Sequence, residues 1–177
     1  AKLLAATTSG TVTSAIDTTE SVDSLKTLND AGETHALTIT ITSNAADTQL
    51  STAAEFNAIN SATSVAIDAS SVTALASSTI SNIKTLLTAG NDTNQFSANS
   101  FSSLATVAVS DGVNLDVSDL VDSIGQANTA TGKSTLAAGA TVFSINAGIT
   151  INGGNEANFE SLLTHETNGL VSVTDQN

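Results

Sequence analysis

Five short stretches alternate apolar with small or polar residues: Leu37-Thr38-Ile39-Thr40-Ile41, Val65-Ala66-Ile67, Val107-Ala108-Val109, Val142-Phe143-Ser144-Ile145 and Leu170-Val171-Ser172-Val173. A period of two is that of a half-buried strand, and Thr and Val suit a pleated surface. Around these runs the apolar spacing changes to three and four. Val22, Leu25 and Leu28 mark one helix side, followed by Phe56, Ile59 and Ala62, then Ile80, Ile83, Leu86 and Leu87. Leu120, Val121, Ile124 and Ala127 form a fourth stripe, and Phe159, Leu162 and Leu163 a fifth. Thr52-Ala53-Ala54-Glu55 is a capping box, and Gly32 and Gly90 sit where a C′ glycine belongs. A chain that changes period this regularly favours a fold that repeats a strand–helix unit.

Superimposing Ile39, Ile67, Val109, Ile145 and Val173 gives intervals of 28, 42, 36 and 28 residues, within the roughly 20–50 residues of repeat architectures. Shorter apolar runs at Val72–Leu75, Val113–Val117 and Ile149–Ile151 read as further strands on alternate turns. Strands alternating with helices favour a parallel sheet with right-handed crossovers. The expected fold is α/β, a compact solenoid-like stack of degenerate strand–helix repeats. A β-rich prism or sandwich with short helices is the alternative, because short Ala/Thr/Ser segments suit either conformation. Residues 1–177 read as a single domain of about five units, with Asn128–Gly139 as an exposed loop.

Composition narrows the function. Val, Ile, Leu and Phe supply 44 of 177 residues and mean hydropathy is +0.16, enough for a core built from small side chains. Four lysines (Lys2, Lys26, Lys84, Lys133) face 17 acidic residues, and the net charge is −13. Nucleic-acid binding starts with clustered cations and uses aromatic stacking; with four scattered lysines and no Tyr or Trp, no nucleic-acid partner is expected. An anionic membrane surface is unattractive for the same reason. No apolar run approaches the roughly 20 residues of a spanning helix, so no membrane insertion is expected. Ala1 reads as a start left by removal of an initiator Met, which implies synthesis in a cytoplasm without Sec export. The absence of Cys removes disulfides, thiolate metal sites and Cys nucleophiles. Few tryptic sites and no Met suit a chain exposed outside a cell.

Four groups of residues invite a chemical reading. Ala127-Asn128-Thr129-Ala130-Thr131-Gly132-Lys133-Ser134 satisfies a relaxed P-loop pattern, but a working P-loop follows a strand and opens a helix, and Leu120–Ala127 reads as helix. The stretch from Asp111 to Asp122 (Asp111-Gly112-Val113-Asn114-Leu115-Asp116-Val117-Ser118-Asp119-Leu120-Val121-Asp122) is the densest set of oxygen ligands. As an EF-hand beginning at Asn114 it places Asp119 where Gly is needed and Gly125 where Glu is needed. A turn at Asp111-Gly112 and an acidic helix start at Asp119 and Asp122 explain it better. His35 and His165 lie beside Glu or Thr in polar connectors and read as solvated loop histidines. Glu156 and Glu160 have the separation of a helical i, i+4 pair, and no Trp or Tyr supplies a sugar platform for a glycosidase. Thr38, Thr40 and Thr42 form a ladder of the kind an ice- or carbohydrate-binding solenoid uses, but the other strands do not repeat it. The expectation is a non-enzyme with no catalytic, cofactor or metal residues and no small-molecule substrate.

The segment Thr52-Ala53-Ala54-Glu55-Phe56-Asn57-Ala58-Ile59-Asn60-Ser61-Ala62-Thr63-Ser64-Val65-Ala66-Ile67-Asp68-Ala69-Ser70-Ser71-Val72-Thr73 resembles the Ala/Thr/Ser/Asp-rich repeats of large surface proteins of marine cyanobacteria and of virion proteins of their phages. The likeness covers roughly residues 36–175 as composition and cadence. The chain is similar in particular to knob-like proteins that decorate cyanophage capsids. That resemblance implies a structural protein at the virion surface whose partner is the major capsid protein or another virion surface protein. The rival expectation is a module of a secreted or cell-surface bacterial adhesin, with Ca²⁺ as a stabilising ligand.

Overall fold

The computed structural model of the chain describes residues 10–16, 20–28, 34–41, 51–112, 114–130, 140–146 and 149–174. Helices begin at side chains able to accept the free N–H groups of a first turn. Ser21 accepts from the Ser24 N–H and opens α1 (Val22–Leu25), Thr52 accepts from Glu55 and opens α2 (Ala53–Ala62), and Thr79 accepts from Asn82 and opens α3 (Ile80–Gly90). At the start of α4 (Val117–Ala130) the Asp116 carboxylate accepts from the Ser118 N–H. Asn155 accepts from Asn158 ahead of α5 (Glu156–Thr167). At Thr52 and Asn155 the bond is reciprocal, with Glu55 and Asn158 reaching back to the cap N–H. The stripes expected of α1 to α4 are buried, with Val121 partly so. Gly90 is the last helical residue of α3, and the C-cap is a right-handed Asn91; Gly32 lies outside the described residues.

Eight strands accompany these helices among the described residues: β1 (Thr13–Ala15), β2 (Ala36–Thr38), β3 (Ala74–Ser78), β4 (Thr106–Val109), β5 (Asn114–Asp116), β6 (Val142–Asn146), β7 (Thr150–Asn152) and β8 (Val171–Thr174). Every described pairing is parallel. β1 pairs with β2, β5 pairs with β7, and an open sheet runs in the order β3-β4-β6-β8. Single parallel bridges at His35–Thr63, Thr40–Asp68 and Ile67–Phe96 extend the first ladder. The protein is thus mixed α/β with parallel strands, and its sheets do not close into a barrel. Each helix packs on its successor in sequence, α1 on α2 through to α4 on α5.

The register bears on the repeat intervals. Val109, Ile145 and Val173 occupy one row across β4, β6 and β8, and the Thr40–Asp68 bridge sets Ile39 level with Ile67. The 42-residue interval does not hold: Ile67 bridges Phe96, and Val109 lies beside Ser78. A tight turn at Ser70–Ser71, held by the Ser70 N–H on Asp68 Oδ1 (3.0 Å), transfers the chain from the first ladder to the second.

Where neighbouring segments lack a full ladder, buried hydroxyls complete their hydrogen bonds. Thr63 Oγ1 accepts from the N–H groups of Leu37 (3.0 Å) and Val65 (3.1 Å) and donates to the Leu37 carbonyl (2.7 Å). Ser100 Oγ accepts from the Ala69 N–H and donates to the Ile67 carbonyl. Ser78 Oγ likewise joins the Ala53 N–H to the Ala76 carbonyl. Phe101 closes the core between these layers, its ring edge-on to Phe56 at 5.9 Å and tilted against Phe96 at 5.1 Å. It does so with φ at 60°, next to Asn99 at 71°, a left-handed backbone that costs about 1–2 kcal/mol for a residue with a Cβ.

The α5 stripe departs from expectation. Only Leu162 is buried, while Phe159 and Leu163 remain 40% and 62% exposed, because α5 has a neighbouring helix on one side alone among the described residues.

Candidate functional site

The exposed side of the helices is where charged and amide groups gather. Lys26 of α1 pairs with Asp23 and reaches Glu55 of α2 at 2.7 Å. Both hydrogen bonds raise the Lys26 ammonium above its ordinary value, Asp23 contributing most. Burial works to raise Glu55, but the bonds from Lys26 and from the Thr52 N–H and hydroxyl prevail and hold its carboxyl below the usual range. Between α2 and α3, Asn57 Nδ2 donates to the Asn82 carbonyl and Asn60 Nδ2 to Gln95 Oε1. Between α3 and α4, Lys84 pairs with Asp119 and lies 3.6 Å from Asp122, and Thr88 donates to Gln126. Some of these groups line a shallow depression of about 550 Å³ that includes Asn57, Asn60, Lys84, Thr85, Gln95 and Asp119. Its lining is amide and hydroxyl groups, Ala89 and the Lys84–Asp119 pair, and several of the polar groups link neighbouring helices.

The carboxylates between Asp111 and Asp122 are dispersed by the fold. Asp111 Oδ2 accepts from the Ile80 N–H at the start of α3 (2.6 Å), Asp116 caps α4, and Asp119 and Asp122 serve Lys84. They face three different partners, Asp119 and Asp122 sharing Lys84, and among the described residues no group of three or more His, Asp or Glu side chains is placed to hold a metal ion. The turn at Asp111-Gly112 separates β4 from β5, and Asp119 lies in the first turn of α4. Opposite Asp116, Gly153 has φ of 78° in the turn from β7 to α5, and a Cβ there would collide with the Asp116 carboxylate.

Both histidines depart from the loop reading. His35 is wholly buried, and its Nδ1 accepts the Val12 N–H at 3.2 Å. The alternation that places Leu37, Ile39 and Ile41 inside places His35 inside as well. His165 is half-buried on the last turn of α5, where Nε2 lies 3.4 Å from Ser161 Oγ. Burial lowers its imidazole below the ordinary value. His35 and His165 stand on the first and last parts of the described chain, and no contact joins them.

The P-loop-like residues 127–130 are the final residues of α4, the end of a helix that repels rather than attracts phosphate; residues 131–134 lie outside the described set. Asn128, expected in an exposed loop, is buried: it donates to the Ile124 carbonyl and accepts from the Thr141 N–H. Glu156 and Glu160 are both exposed on α5. Thr38 is exposed and Thr40 half-buried, while Thr42 is outside the described residues. The amide links at Asn57, Asn60 and Gln95 were not singled out by sequence; the signal for the first two is the recurrence of Asn on the polar side of an Ala-rich helix, while Gln95 lies in the turn after α3. No helix among the described residues is long and apolar enough to cross a membrane. No protein-family model, curated protein or solved structure matches the chain.

Proposed function

We propose that this protein is a non-enzymatic structural protein that decorates the outside of a cyanophage-type capsid as a protruding knob, folded as one solenoid-like stack of about five strand–helix units. The observation that carries this reading is the use made of the reactive side chains. Lys26 and Lys84, Asp111, Asp116 and Asp119, and Glu55 are all engaged in capping or cross-linking helices. What remains outward is an acidic, hydroxyl- and amide-rich wall. Such a wall stays hydrated and repels its copies at a net charge of −13, as a protein crowded on a particle requires. Parallel ladders and sequential helix packing support the stack, because each unit buries its apolar side on its neighbour. The partner is the major capsid protein or another virion surface protein.

The test is the protein composition of gradient-purified phage particles from the source, before and after mild surface proteolysis of intact capsids. The reading expects this chain at a fixed ratio to the capsid protein and accessible from outside. Particles that lack it, with the chain recovered from cell envelopes, would instead identify an adhesin module.

A further inference from the structure

We propose that His35 makes the attachment of β1 sensitive to acid: protonation of its imidazole opens the Val12 end of β1 from the first ladder while the sheet around β4 and β6 stays closed. His35 is wholly buried, and its ring makes one hydrogen bond, accepting the Val12 N–H on Nδ1 at 3.2 Å. A neutral imidazole accepts on one nitrogen and donates from the other. The ring proton therefore sits on Nε2, which has no partner. The closed arrangement fits one protonation state and one tautomer. A second proton has to enter at Nδ1, where an N–H then faces the Val12 N–H and the bond is lost. What remains is a buried cation with two unpaired donors.

The surroundings offer that cation no counter-charge. The segments that adjoin His35, residues 10–16, 36–41 and 60–64, carry no charged side chain. Beside them, Asp23 and Glu55 are both taken by Lys26, Glu20 is exposed, and Asp68 accepts from the Ser70 N–H; Asp30 and Glu33 lie outside the described residues. None of the described carboxylates pairs with the imidazole. Which side of the ring yields follows from the backbone. On one side His35 donates its N–H to the Ala62 carbonyl (2.9 Å), and its own carbonyl accepts from the Ser64 N–H (2.7 Å) and hydroxyl. Leu37, the next inward residue, is fastened to Thr63. On the other side stands β1, three residues long with one strand neighbour among the described residues, and Val12 is the buried residue at its start. β1 is the element that gives way. Opening hydrates the charged ring, so protonation favours the open form and a neutral ring favours the closed one. The switch is independent of the capsid reading.

The test is NMR of the whole chain, with the tautomer of His35 read directly and amide protection factors followed from about pH 7.5 to about pH 5.5, where imidazoles take up protons. The expected result is an Nε2–H tautomer at the higher pH, and protection at Val12 and across β1 that falls toward the lower pH while β4 and β6 keep theirs. His35→Asn places a non-titrating acceptor oxygen where Nδ1 stood and is expected to hold β1 protection level across the range. The tautomer and the wild-type protection factors stand whether or not that variant folds. A neutral His35 with its proton on Nδ1, or β1 protection unchanged across the range in the unmodified protein, overturns the proposal. So does a fall at β1 that His35→Asn retains.

Discussion

At the residue scale, a few buried polar side chains hold this fold in register. Thr63 is the clearest, with one hydroxyl completing three backbone hydrogen bonds. Thr63→Val keeps the shape and leaves the Leu37 N–H and carbonyl without that partner. The expected loss is about 1–3 kcal/mol in urea unfolding, with Thr63→Ser retaining most of the stability; equal midpoints for Val and wild type would show the hydroxyl to be idle. His165 sets a pH dependence of definite sign. Burial lowers its folded pKa below the ordinary 6.5, so the unfolded chain takes the proton first as pH falls. Its contribution is therefore full above about pH 6.5 and is lost as pH drops from there through the lower folded value. Unfolding midpoints at pH 7.5 and 5.5 should fall less in His165→Gln than in wild type. Parallel shifts in the two proteins would contradict this account.

At the element scale, turns and caps decide where units begin. Thr52→Ala removes the capping box of α2 and should cost about 1 kcal/mol, read as a lowered melting midpoint. Gly153→Ala adds a Cβ at φ 78° and displaces the Asp116 carboxylate from the Ser118 N–H, for an expected loss of about 1–3 kcal/mol. A Gly153→Ala protein as stable as wild type would mean that the β7–α5 turn has slack. Most elements were legible in sequence because alternation and helical spacing are both long-lived signals: the runs at Val107, Val142 and Leu170 mark β4, β6 and β8, Val113–Val117 contains β5, and Val72–Leu75 and Ile149–Ile151 overlap β3 and β7, whereas Val65–Ile67 forms no strand and only a single bridge at Ile67. Three features were not. β1 lies in Thr-Val-Thr-Ser-Ala, too short for a period to register. The stretch from Phe96 to Leu104 is buried at three apolar positions but has no period, since Asn99 and Phe101 reverse the backbone. That stretch also hid the change of ladder behind an apparent 42-residue repeat. His35 is buried rather than solvated because a polar neighbourhood in sequence says less than position in an alternating run.

At the scale of the whole molecule, parallel ladders link distant segments while helices pack on their sequence neighbours, so stability is built from adjacent-unit contacts. Val173 departs from its row partners Val109 and Ile145 in being 55% exposed, and Phe159 and Leu163 of α5 are exposed as well. The acidic exterior is equally a property of the whole: Lys26 and Lys84 are tied into helix contacts, and the chain carries an excess of 13 negative charges. Candidate chemistry was only partly legible for this reason. The residue types of the Asp111–Asp122 stretch were plain, but their separate duties to α3, α4 and Lys84 emerge only in three dimensions.

The central claim is that this protein stands on a capsid surface. Immunogold electron microscopy, with antibody to the folded chain, on cells of the source organism and on phage particles present with them tests it most directly. The account predicts gold on capsid heads. Gold confined to cell envelopes, with bare heads in the same field, would contradict it.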